Sequence, residues 1–173
     1  PTFAEALRFD CGFRIEGEVG PWSDAVDGLR ARIVASARHA TPGSPLAIAL
    51  QIENRSDRPR AYNVTGVTMA AIPQPYHFDL LVDGKTCTQR DDLGVISSAG
   101  AGFLPQPVGS LRTMGVLTSF WRRDGEPPLE TPGPHRLAFR FHFEPSLWTD
   151  DDRAQWMGRI ETPAITIDVA ARR

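Results

Sequence analysis

His135-Arg136-Leu137-Ala138-Phe139-Arg140-Phe141-His142-Phe143 decides the fold class, because apolar and polar side chains alternate along it. In an extended chain successive side chains point to opposite faces, so Leu137, Phe139, Phe141 and Phe143 share one face. Arg136, Ala138, Arg140 and His142 share the other. A helix would scatter the same residues around its circumference. The phenylalanines on a single face predict a strand at the centre of a hydrophobic core.

The same period recurs on both sides of this stretch. Leu46, Ile48, Leu50 and Ile52 alternate with Ala47, Ala49, Gln51 and Glu53, predicting a strand from Pro45 to Glu53. Leu29, Ala31, Ile33 and Ala35 alternate with Arg30, Arg32 and Val34, and Ile165, Ile167 and Val169 alternate with Ala164, Thr166 and Asp168. Phe78, Leu80 and Val82 lie on one face of a further strand. Asp83-Gly84 after it is the dipeptide of a tight hairpin, with Lys85 to Arg90 as the return strand. Leu111 to Trp121 reads as a longer strand.

Turn residues separate these runs. Thr41-Pro42-Gly43-Ser44-Pro45 breaks the chain, and Asn54-Arg55-Ser56-Asp57 supplies short polar side chains that bond their own backbone, with a new strand starting near Arg60. Glu126 to Pro134 is proline-rich and expected to run extended along an edge of the sheet packing. Asp91 to Ser110 is rich in Gly, Ser, Ala and Pro with little periodicity and reads as a long loop. Thr149-Asp150-Asp151-Asp152 resembles a helix cap, predicting a short helix near 150–157. The pattern is that of an all-β, antiparallel sandwich of about seven to nine strands. Residues 1–28 read as an irregular N-terminal arm with a short strand over 13–19, and residues 29–171 as one sandwich domain.

Composition agrees with a folded chain. At 173 residues, 41% hydrophobic and 23% charged, one core is expected and disorder is not. The net charge of −2, with basic residues scattered among acidic ones, lacks the basic footprint of a nucleic-acid binder. No apolar run approaches the roughly 18 residues that span a bilayer, and residues 1–13 do not resemble a signal peptide. Lys85 is the sole lysine among 19 basic residues, an arginine skew attributable to a GC-rich genome.

Two stretches resemble bacterial extracellular immunoglobulin-like domains. Leu46 to Asp57, "LAIALQIENRSD", resembles their strand and polar corner. Pro132 to Val169 resembles their ending, with "PGPHRLAFRF" as the penultimate strand, "WMGRI" as the approach and "TPAITIDV" as the last strand. The resemblance implies an immunoglobulin-like sandwich and an extracytoplasmic setting (periplasmic, secreted or cell-surface), with a cytoplasmic one as the alternative. It transfers no functional residues.

A search for chemistry yields no catalytic, metal or cofactor constellation. "GVISSAG" at 94–100 misses the spacing of a nucleophile elbow. His39, His77, His135 and His142 are dispersed, and a separation of seven puts the last two on opposite faces of their strand. Asp150, Asp151 and Asp152 lack the alternation with which a loop wraps calcium, and "GAGFLP" at 100–105 lacks the third glycine of a dinucleotide fingerprint. Asn54-Arg55-Ser56 and Asn63-Val64-Thr65 fit the N-glycosylation pattern. Cys11 and Cys87 allow one disulfide in an oxidising compartment, or else are two buried thiols.

Aromatic and arginine residues near turns remain: Tyr76, Phe120, Trp121, Arg122, Arg123 and Trp148. Such residues supply the buried area and polar handles of interface hot spots, although singly each suits a core or rim position. The expectation is therefore a non-enzymatic protein-interaction or structural subunit that binds another protein or assembly subunit, with Trp121 to Arg123 at its contact surface. No cofactor is expected. A carbohydrate-binding module is the alternative, its platform drawn from Tyr76, Trp121, Trp148 and Trp156. A protease inhibitor presenting the 91–110 loop is a third reading.

Overall fold

The computed structural model describes residues 17–65, 78–89, 101–142, 156 and 158–171. The fold is all-β, a sandwich of two sheets in which antiparallel pairing dominates. One sheet has the order β1-β3-β9, formed by Leu29–Ala35, Ala47–Asn54 and Leu111–Leu117. The other is built on β11, Gly133–His142, flanked by β5 (Phe78–Val82) on one side and β13 (Ile165–Val169) on the other. Short strands extend it: β2 (His39–Ala40) runs parallel to β13, and β6 (Lys85–Thr86) closes the hairpin with β5.

β11 is long enough to change partners along its length. Arg140, Phe141 and His142 pair with β12, Arg159–Glu161, whereas Gly133 to Leu137 pair with β13. The gap between these partners is closed by Thr162. Its hydroxyl accepts from the Phe139 N–H at 2.9 Å, and its N–H donates to the Phe139 carbonyl at 2.8 Å. A buried backbone pair is thus satisfied where the ladder would otherwise break.

The period-two faces meet in the core. Leu29, Ala31, Ile33, Ile48, Leu50, Ile52, Met114 and Val116 come from the first sheet, and Leu80, Val82, Leu137, Phe139, Phe141, Ile165 and Ile167 from the second. Phe141 stacks on Trp156, with ring centroids 5.2 Å apart and planes 10° apart. The Trp156 indole N–H is satisfied by the Val26 carbonyl at 2.8 Å, which lets a polar edge enter the core.

Three Asp-Gly dipeptides make the tight turns. Asp27-Gly28, Asp83-Gly84 and Asp124-Gly125 all have positive φ at both residues, from 46° to 54° at aspartate and from 78° to 87° at glycine. Turns of this sign match the twist of the strands they join, and aspartate is among the few residues that tolerate the left-handed region. Only 83–84 was legible as a hairpin from sequence, since its flanking strands alternate. The turn at 27–28 instead returns an irregular edge segment to β1, to which Glu18, Gly20 and Ser23 hydrogen-bond.

Several expected boundaries shift. Residues 101–106 form β8, paired with β4 (Arg60–Thr65), where a continuous loop over 91–110 was expected. The Gly- and Pro-containing segment has weak strand propensity, but β3 and β9 are paired just beyond it and bring the two chains together at the same end. The strand expected over 111–121 breaks at Thr118–Phe120 into a 3₁₀ turn before β10 (Trp121–Arg122). The return strand over 85–90 divides at Cys87 into β6 and β7 (Thr88–Gln89). The helix expected near 150–157 lies outside the described residues except for Trp156, which is in no helix.

A polar network fixes the bend between the β3–β9 and β4–β8 ribbons. Asn54, 0% exposed, donates from Nδ2 to the carbonyls of Arg58 (3.0 Å) and Gln106 (2.8 Å). Its Oδ1 accepts from the Ser56 N–H (2.9 Å) and hydroxyl (2.7 Å). Gln106 in turn donates to the carbonyls of Ile52 and Ser110. The Asn54 sequon is therefore occupied by structure: its amide is buried and fully engaged, so a glycan has no access to it.

Candidate functional site

The expected contact surface around Trp121 is built into the body of the fold. Trp121 is 0% exposed, with its ring 6.1 Å from that of Phe139, and Phe120 packs against the same core. The strand carrying Trp121 is short because it ends in the Asp124-Gly125 turn, and Trp121 and Arg122 pair with Gln89 and Thr88. Arg122 directs a guanidinium nitrogen at the carbonyls of Trp121 (3.1 Å) and Ser119 (3.4 Å). Tyr76, Trp148 and Cys11 lie outside the described residues.

Arg123 joins a clasp centred on Asp83. The Asp83 carboxylate accepts from Arg123 (2.7 Å) and from the Arg136 backbone N–H (2.9 Å), and lies 2.9 Å from His135 Nδ1. His135 Nε2 lies 2.7 Å from the Thr131 carbonyl. His135 shares the inward face of Leu137 and Phe139, as the parity of its strand requires, and is engaged on both ring nitrogens. Burial pushes the Asp83 carboxyl up, but the Arg136 N–H, His135 and Arg123 outweigh it and hold it down at about 2. The clasp ties a hairpin turn to β11 and to the loop before it.

Cys87 lies behind this clasp, 3% exposed, as a free thiol. Burial raises its pKa to about 11, against a smaller opposing effect of Arg123. A thiol so protonated and enclosed has the character of a packing residue.

A different aromatic–arginine group occupies the outer face of the three-stranded sheet. The antiparallel register places Arg30 beside Glu53, with Leu111 next across the sheet, and Arg32 beside Gln51, with Thr113 beyond it. Trp22, half-buried on the edge segment, has the Arg30 guanidinium 4.6 Å and the Arg32 guanidinium 4.4 Å from its ring centroid. Arg30 forms a 2.6 Å ion pair with Glu53, which also faces Arg55 at 3.5 Å. Arg32 Nε donates to Gln51 Oε1 at 2.7 Å, and Gln51 Nε2 donates to Thr113 at 3.2 Å. Partial burial, with Arg30 nearby and Glu53 opposing, lowers the Arg32 pKa. Its guanidinium remains charged at any physiological pH.

This face combines the interface residue types sought near Trp121, but on a rigid sheet. The alternation of Arg30 and Arg32 placed both on the polar side of β1. Trp22 was missed because its neighbours Gly20 and Pro21 read as irregular chain, and its place depends on the Asp27-Gly28 reversal. Of the residues named for a sugar platform, Trp121 and Trp156 are fully buried. Among the described residues no group of three or more His, Cys, Asp or Glu could hold a metal ion, and no helix is long and apolar enough to cross a membrane.

The fold thus defines a β-sandwich protein with a cationic, aromatic sheet face. No known protein family matches the chain, and no curated protein matches it.

Proposed function

We propose that the chain is a non-enzymatic, immunoglobulin-like module of the bacterial extracellular type that joins a partner protein or neighbouring subunit in an exported or surface assembly. The observation that carries this reading is the half-exposed Trp22 held against Arg30 and Arg32 on the outer face of β1. Tryptophan and arginine dominate interface hot spots because they bury large areas while keeping polar donors. A sheet face presents them with little conformational freedom left to lose on binding. The two packed sheets and the "LAIALQIENRSD" strand-and-corner support the immunoglobulin-like assignment and, through that resemblance, the extracytoplasmic setting.

The test is affinity isolation of the tagged protein from its own organism under non-reducing conditions, run in parallel with Trp22→Ala. A stoichiometric protein retained by wild type and depleted by the variant is expected, with unchanged circular dichroism and melting. Recovery of the wild-type protein alone, or equal retention by a folded variant, would remove this reading.

A further inference from the structure

The charge on the Trp22 face is unbalanced. Among the described residues Arg30, Arg32 and Arg55 gather around one carboxylate, Glu53, although the chain as a whole carries a net charge of −2. Arg30 and Arg55 both engage Glu53. Arg32 feels Glu53 only at a distance: its Nε is committed to Gln51, its guanidinium lies against Trp22, and among the described residues it makes no ion pair. The planar group is held from two directions while its terminal nitrogens hydrogen-bond to no carboxylate among the described residues. A guanidinium fixed in this way is matched by a carboxylate that accepts two parallel N–H bonds.

The second feature of the face is apolar. Leu111 is 50% exposed beside Glu53 in the register, and Val108 in the adjoining turn is 52% exposed. From Arg32 on β1 to Leu111 on β9 is two strand spacings across and one row along, roughly 12 Å, or about four residues of extended chain. We propose that this face binds an acidic, extended segment of a partner protein, with an Asp or Glu on Arg32 and an apolar side chain on Leu111. The assignment rests on the protein-contact reading above and names the partner's chemistry. The exposed apolar residues favour a peptide over a phosphate polymer, which has cationic but no aliphatic demands.

The test is fluorescence anisotropy with a labelled dodecapeptide rich in Glu and interspersed Leu, against a peptide with Gln in place of Glu and a single-stranded DNA of equal charge. The acidic peptide is expected to bind in low salt, more weakly as salt rises. Arg32→Gln is expected to weaken it at least about tenfold and Arg32→Lys by less, since lysine keeps charge but loses the fork. Leu111→Ser should weaken it independently. Variant melting curves establish that the fold is retained. Absence of binding by wild type, equal binding by a folded Arg32→Gln variant, or equal binding of DNA overturns the proposal. Should the peptide fail while Trp22→Ala still loses the native partner, the contact reading stands and only the acidic chemistry falls.

Discussion

Replacing Asn54 by alanine tests whether the polar bend between the two ribbons is a principal determinant of stability. The side chain makes four hydrogen bonds from a fully buried position, two as donor to the carbonyls of Arg58 and Gln106 and two as acceptor from Ser56. The bond to the Gln106 carbonyl is itself buried, and stripping a buried acceptor costs about 1–3 kcal/mol. The Ser56 and Arg58 groups lie nearer solvent and can regain water, so their loss adds about 1 kcal/mol. A total near 3 kcal/mol corresponds to a fall in Tm of about 10 °C for a domain of this size. Equilibrium urea unfolding followed by tryptophan emission reads the change as a shifted midpoint at constant slope. Asn54→Asp preserves shape but replaces both donors with an acceptor facing two carbonyls, and should cost at least as much. A loss below about 1 kcal/mol in both variants would refute the assignment of the bend to this network.

Three further outcomes follow from specific contacts. Asp83, held at about 2 against an ordinary 3.8, contributes stability that is complete above pH 4 and is lost as pH falls towards 2. With its side chain 34% exposed, solvent screening reduces that contribution to about 1 kcal/mol. The stability difference between wild type and Asp83→Asn should therefore close across that window in acid titrations of unfolding, and a difference constant with pH would count against the clasp. In a Cys11→Ser background Cys87 should resist Ellman's reagent at pH 8 and react at the rate of unfolding as urea is added, whereas immediate stoichiometric labelling would contradict its burial. Gly28→Ala and Gly84→Ala share positive φ, costing about 1–2 kcal/mol each. Only at Gly28 does the new Cβ fall 2.3 Å from Ser56 Cβ, so Gly28→Ala should unfold at clearly lower urea, and equal midpoints would argue against that approach.

The strands that alternate cleanly were legible because burial on one face writes itself into sequence with a period of two. Gly133–His142 and Ile165–Val169 follow from that signal, whereas Ala47–Asn54 is buried on both faces and alternates because only its core-facing side chains are large aliphatics. β8 was not legible, since Ala101-Gly102-Phe103-Leu104-Pro105-Gln106 is a strand only through its pairing with β4, a contact about 40 residues distant. The site was legible by residue type and not by place. Aromatic and arginine residues adjoin both at 120–123 and at 22–32, and composition cannot distinguish a tryptophan that ends in the core from one at the edge of a sheet. Trp121 enters the core because its strand continues from β9 after the 3₁₀ turn, while Trp22 stays outside because its segment hydrogen-bonds along the margin of β1.

The Asp-Gly turns show the same division between local and tertiary information within one motif. Backbone geometry is shared by all three, because aspartate and glycine can both adopt positive φ, and a sequence of two residues suffices to specify it. The carboxylates are used differently. Asp83 is captured by Arg123, Arg136 and His135, and Asp27 pairs with the buried Arg60, drawing the start of β4 to the β1 edge turn. Asp124 makes no bond to any described residue. Asp27 and Asp83 thus serve as turn formers and as long-range fasteners, while Asp124 only turns. Substitution by asparagine, which keeps the turn and removes the charge, should consequently be silent at 124 and destabilising at 27 and 83. Equal effects at all three would mean that the aspartates matter for their backbone alone.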